Sequence, residues 1–180
     1  MHLRTILAGV LAAVAVFVWM FVAHAMLPLG MTGISEIKNE QAVVDTLKTN
    51  IDKDGMYMFP MAMARGETNV QGPEGMIIYR QDIHEMSPMM LGSEFLLEVV
   101  EMAILAFLIS QTALMGFGPR LGFATLAGVM VAITTHGSYH IWFGFPADYT
   151  AAQIFMVTVA FMIGGAVIAL MLPKGTRAMG

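Results

Sequence analysis

Glu94, Glu98 and Glu101 stand at i, i+4 and i+7, so on a helix all three carboxylates leave one face within about two turns. His136 and His140 repeat the i, i+4 spacing, and His24 closes an apolar run near the N-terminus. Imidazole and carboxylate together suit zinc, iron or manganese, and the same groups can carry protons. The expected site is therefore a divalent-metal or proton-handling cluster of His24, Glu94, Glu98, Glu101, His136 and His140. The competing reading is structural. Such groups pair with one another and with backbone carbonyls between membrane helices, or lie in the interface beside Trp19, Tyr139 and Trp142.

A second constellation is rich in thioether. Met56, Met58, Met61 and Met63 are followed by His84, Met86, Met89 and Met90, and thioether with imidazole is a ligand set for Cu(I). Copper handling is the alternative function. Against it, methionine is abundant throughout, with 19 in the chain, including Met102, Met115, Met130, Met156 and Met162 inside apolar runs. The chain has no cysteine, which removes disulfides, thiolate metal sites and thiol nucleophiles. No nucleophile elbow, phosphate loop, dinucleotide fingerprint, HExxH or haem-attachment motif occurs, so a binding or accessory role is expected ahead of an enzyme.

The elements that must position these residues are apolar helices. Hydrophobic residues make up 57% of the 180 residues, charged residues only 12%, and the mean hydropathy is +0.71; these are the values of a bilayer protein, with no signature of a nucleic-acid partner. Four spans are expected, at about 5–27, 92–117, 121–143 and 150–172, the first long enough at about 1.5 Å per residue to cross a core of about 30 Å. Ala23-His24-Ala25 also fits a small-x-small cleavage site, but the apolar run exceeds a usual signal core, and an uncleaved anchor is expected. The short Gly118-Pro119-Arg120 link predicts that spans two and three are antiparallel neighbours. Gly164-Gly165 with Ala160 and Ala169, and Gly118 with Gly122, are small-residue faces for close helix approach, within the chain or in a homo-oligomer or other membrane complex.

Charge sets the orientation. Arg4, Arg120, Lys174 and Arg177 flank ends that share one side, and none of the 13 acidic residues lies there, so both termini are expected in the cytoplasm and segment 31–91 outside. On that topology Glu94 lies near the outer interface, with Glu98 about 6 Å and Glu101 about 10 Å deeper. The three histidines come to the same outer side, and a similar depth is expected for the Glu and His groups.

Segment 31–91 reads as a small α/β cap. Asn39 can cap a helix whose Val43, Leu47 and Ile51 form one stripe, and Asp54-Gly55 turns the chain. Met56–Phe59 and Met76–Tyr79 are short β-prone runs suited to a hairpin. Beyond it, Asp148 or Thr150 is expected to cap the last helix. The fold class is thus membrane all-α: a four-transmembrane-helix bundle with a small α/β extracytoplasmic cap, whose working surface is expected beneath that cap.

Several stretches, Val18-Trp19 through Leu27-Pro28, Gly72-Pro73 through Tyr79, Met86-Ser87-Pro88 through Glu94, and Trp142 through Pro146, resemble a set of small four-helix bacterial inner-membrane proteins without an assigned function. The resemblance implies a bacterial inner-membrane location and this topology, and supplies no ligand residues.

Overall fold

A computed structural model of the chain describes residues 3–62, 65–69, 71–83 and 86–173. They form two compact units, one of residues up to Ile34 together with those from Ser87 onward, the other Ser35–Met86. Met63, His84, Lys174 and Arg177 lie outside the described residues.

In the first unit, helix α1 (Leu3–Phe21) runs on through a π-helical turn, Val22–Met26, and a 3-10 turn follows at Pro28–Met31. Helix α3 (Pro88–Ser110) starts where Ser87 accepts the Met90 amide and Pro88 fills a first-turn position that needs no donor. This start lies four residues before the expected one, and the helix also stops earlier. Ser110 and Thr112 hydroxyls take up the last carbonyls, at Phe107 and Ile109.

Gly118-Pro119-Arg120 is not a link. It lies in the first turns of α4 (Phe117–Ala132), where proline costs no hydrogen bond; the connection is Gln111–Gly116. A second π-helical turn, Ile133–Gly137, joins α4 to α5 (Ser138–Phe143), which ends at left-handed Gly144. Helix α6 is Ala147–Met171. Neither expected residue caps it: among the described residues Asp148 accepts only from the adjacent Tyr149 amide, and Thr150 Oγ1 is buried without a partner.

Among the described residues, three helical stretches are long and apolar enough to cross a membrane: Leu3–Met26, Phe117–Phe143 and Ala147–Met171. Helix α3 matches them in length, with 23 residues, but every stretch of it as long as a span contains all three glutamates. A fourth span rests on that helix.

Packing order differs from chain order. Helix α3 runs along α1, α1 along α6 and α6 along α4, while α3 and α4 meet only slightly. The expectation that spans two and three are neighbours over their length is corrected here, and the reason is shape. Gly9 lets α1 approach so closely that an added Cβ would stand 2.8 Å from Ala103 Cα. Gly128 accepts Phe161, Gly165 accepts Ala124, and Gly164 accepts Met102 and Val16. In lipid, helix association depends on such close approach rather than on apolar burial, and Gly118 and Gly122, with open space above them, offer α3 nothing equivalent.

These contacts also fix direction. Phe17 meets Phe95, and Gly9 meets Ala103, so α1 and α3 are antiparallel. Trp19 Nε1 donates to the Met156 carbonyl at 3.0 Å while Val16 stands at Gly164, so α1 and α6 are antiparallel too. Gly128 at Phe161 and Ala124 at Gly165 give the same relation for α4 and α6. The core between them is Ala8, Ala12, Ala13, Val16, Met102, Leu105, Ala106, Ile109, Ala124, Phe161 and Ile168.

The second unit contains α2 (Glu40–Asn50), capped by Asn39 through the Ala42 amide, and an antiparallel pair, β1 (Gly55–Phe59) with β2 (Gly75–Tyr79), in register Tyr57 to Ile77. Asp54 Oδ1 accepts the Gln81 amide and Asp52 O accepts its side chain, which ties the two ends of the hairpin. Only Ala62 among its described residues is buried, as expected of a unit too small for a sealed core.

Candidate functional site: a glutamate ladder at mid-helix

Helix α3 presents one face as Glu98, Met102, Leu105 and Ile109, all at most 4% exposed. Their i, i+4, i+7, i+11 spacing is the seam of a helix packed on its neighbours. Glu98 therefore occupies a position that the pattern reserves for a large apolar side chain. Its Oε2 is buried and has no hydrogen-bond partner among the described residues. Glu94 and Glu101 flank it by one turn each, Glu94 exposed and Glu101 half-buried.

The helix contacts locate this group. Between the Phe17–Phe95 and Gly9–Ala103 contacts, the antiparallel register brings Glu98 level with Val14. Val14 is at the middle of the 24-residue apolar stretch Leu3–Met26, about 17 Å from either end at 1.5 Å per residue. Across that level α1 offers only Ala12, Ala13, Val14 and Ala15. The α6 residues there are Gly164 and Gly165, and the α4 residue is Ala124. No hydrogen-bond donor to Glu98 Oε2 is found among the described residues.

The histidines lie elsewhere. His24 is in the π-helical turn at the end of α1, level with the first turn of α3 and about 15 Å along the axis from Glu98. His136 occupies the corresponding turn after α4, beyond the level of Trp19. His140 follows on α5. His24 Nδ1 donates to Met20 O at 2.9 Å and His140 Nδ1 to Phe145 O at 2.6 Å, so each ring is oriented by its own segment. His136 Nδ1 is buried without a partner among the described residues, and its ring meets Tyr139 edge-on.

The expectation of a similar depth for the Glu and His groups is thus not met. The six residues divide into a histidine layer at one end and a glutamate ladder descending from Glu94 to Glu101. Among the described residues no three His, Asp or Glu side chains group as a metal site requires. Of the thioether set, Met56, Met58, Met61, Met86 and Met89 are exposed, at 47–80%.

Arg120 is the residue whose role the sequence did not reveal. It is 7% exposed, and its guanidinium donates to Leu114 O, Leu172 O and Pro173 O at 3.1, 3.0 and 2.7 Å. The charge lies at the C-terminus of α6, where the helix dipole and two terminal carbonyls favour it, and Leu114 O in the α3–α4 connection is the third acceptor. The nearest sequence signal is an arginine one residue after a first-turn proline, and no spacing links it to a carbonyl 52 residues away.

The second unit holds an open groove of about 620 Å3 between α2 and the hairpin, lined among others by Val43, Leu47, Ile51, Tyr57, Phe59 and Ile77. Its polar lining is already committed: Thr46 donates to Ala42 O, Asn50 to Thr46 O and Tyr57 to Lys53 O. The groove presents carbon and no reactive group.

Comparison with family models, curated proteins and solved structures finds no match to this chain.

Proposed function

We propose that this chain is a four-span bacterial inner-membrane binding protein whose working group is the Glu98 carboxyl, a cation- or proton-binding site at the middle of the bilayer, with α3 as the fourth span. The observation that carries this reading is the buried, unpartnered Glu98 oxygen level with the midpoint of α1. An ionisable residue costs about 3 kcal/mol or more at the centre of a span, and one found there marks a pathway or a binding site by default. Nothing in the packing repays that cost. Leucine at 98 would complete the seam.

Positive charge supports both termini in the cytoplasm and the 35–86 unit in the periplasm, with Arg4 and Arg120 at one end of the spans. The rival reading, a subunit joining a larger assembly through the small-residue face of the last helix, has less behind it. Gly164 and Gly165 are already filled by Met102, Val16 and Ala124 of the same chain.

The test is chemical. Dicyclohexylcarbodiimide reacts with carboxyl groups in apolar surroundings, whereas a water-soluble carbodiimide reacts with exposed ones. Membranes containing the protein should give a dicyclohexylcarbodiimide adduct on Glu98 by peptide mass mapping, and Glu98→Gln should lose it. If folded protein carries adducts only on the loop carboxylates, while denatured protein is labelled at Glu98, the reading is wrong.

A further inference from the structure

We infer that the occupant of the Glu98 site is a proton, taken up and released only through the end at which α3 begins. The inference rests on the proposed function and adds the identity of the ligand and the side from which it arrives.

The identity follows from the ligand count. A divalent cation takes four to eight ligands. Level with Glu98, α1 supplies alanine and valine, α6 the Gly164-Gly165 pair and α4 Ala124. Every other titratable or charged group among the described residues of the packed helices lies away from it: Arg4 and His24 at the two ends of α1, Asp148 and Tyr149 in the first turn of α6, Arg120 and His136 at the two ends of α4 with its π turn. Only Glu94 and Glu101 are within a turn, and both are carboxylates. The three carboxylates leave α3 a turn apart and do not converge as a metal cage requires; among the described residues no three His, Asp or Glu side chains do. A proton needs a single oxygen, and it removes the charge that makes the position costly.

The direction follows from what lies along α3 on each side. Toward its N-terminus come Glu94, exposed one turn away, then Ser93 and the capped start at Ser87. Toward its C-terminus, past half-buried Glu101, come Met102, Leu105, Ala106 and Ile109, at most 3% exposed and packed with Ala8, Ala12, Ile168 and Leu172. Beyond them, Arg120 holds the Leu172 and Pro173 carbonyls. On α1 and α3, that half beyond Glu101 holds only the hydroxyls of Thr5, buried and level with residue 107, about 9 Å further along the axis, and of Ser110, committed to Phe107 O. No unbroken run of proton-passing side chains therefore continues to that end. On uptake, hydronium arriving at Glu94 leaves water behind, and the carboxylate at Glu98 becomes the carboxylic acid. On release the proton returns to water by the same route, so the site binds without conducting.

The test uses the full chain in phosphatidylcholine–phosphatidylglycerol vesicles. Orientation is set by a single introduced cysteine at Thr49, and infrared difference spectra are recorded across pH steps applied to one side. A carbonyl band of a neutral, buried carboxyl should be lost on an alkaline step at the α3 N-terminal side. The same step on the opposite side should leave it unchanged, and added sodium, magnesium or zinc should not move it. Glu98→Gln should lack the band. Should that variant not fold, Glu98→Asp must shift it.

A band lost on the opposite-side step would overturn one-sided access. A band present only after chelation, or displaced by a metal ion at fixed pH, would overturn the proton while leaving a cation site at Glu98. Absence of both the band and the carbodiimide adduct would remove the underlying reading as well.

Discussion

Phe17 of α1 meets Phe95 of α3 edge-on, with ring centroids 5.5 Å apart, and this pair fixes the depth of Glu98 one turn further along α3. The opposite anchor, Gly9 against Ala103, allows no sliding: an α1 residue any larger would strike the α3 backbone. Glu98 is therefore held at mid-helix by two contacts that are themselves entirely apolar. The buried carboxyl oxygen forms no hydrogen bond among the described residues that would help to hold the helices together.

The crossing of α4 and α6 rests on two missing side chains, at Gly128 and Gly165. A Cβ on Gly165 would overlap Cβ of Ala124, so Gly165→Ala should destabilise the protein by about 1–3 kcal/mol, the usual range for overpacking. Ala124→Gly in the same chain should restore most of that loss, because it vacates the contested volume. Thermal unfolding in detergent of the two single variants and the double variant gives the coupling directly. Additive losses would mean that the two residues do not meet.

Arg120 closes the end of the helix pair with three hydrogen bonds to carbonyls. Bonds from a charged donor contribute about 1.5–3 kcal/mol each before mutual dependence is allowed for, and buried carbonyls left unpaired add to the loss. Arg120→Ala is expected to cost several kcal/mol. Arg120→Lys should recover part of it, since an ammonium keeps the charge near the helix end but not the planar fork. Hydrogen exchange at residues 168–172 should accelerate in both variants, more strongly in alanine; unchanged exchange there would mean that the clamp does not hold the α6 terminus.

Much of this arrangement is legible in the residues. Three of the apolar runs, the Asn39 cap and the two β-prone stretches appear close to where composition and spacing put them, because each depends on near neighbours in the chain. Ser87-Pro88 marks the start of α3, four residues before the apolar run that hydropathy picks out at about 92. Which helix lies beside which was not legible. It depends on whether Gly9 finds Ala103 or Gly165 finds Ala124, and small residues carry no address. The candidate site was legible as a stripe of glutamates but not as a ladder separate from the histidines, because depth is set by the register of those same glycine contacts.

The second unit offers an independent check on local capping. Asn39 accepts the Ala42 amide at 3.2 Å, and Asn39→Ala should lower the stability of the 35–86 unit by about 1 kcal/mol. Asn39→Asp should leave it unchanged or slightly raised, since a carboxylate at a helix N-terminus also meets the dipole favourably. Amide exchange across Glu40–Asn50 is the readout, and equal exchange in the alanine variant and the parent would show that the cap is dispensable.

Whether α3 crosses the membrane can be decided with the chain as it stands, because it has no cysteine and any single introduced one is a unique label. If α3 is a span, a cysteine at Thr49 in α2 and one at Ala113 between α3 and α4 must lie on opposite sides. A membrane-impermeant maleimide added to sealed vesicles should therefore label one of the two before lysis and the other only after it. A cysteine at Phe145, between α5 and α6, should behave like the one at Thr49, because the stretch Phe117–Phe143 returns the chain to that side. Labelling of 49 and 113 from the same side would mean that α3 does not cross. Its glutamates would then face the aqueous interface, and the site proposed at Glu98 would lose its low-dielectric setting.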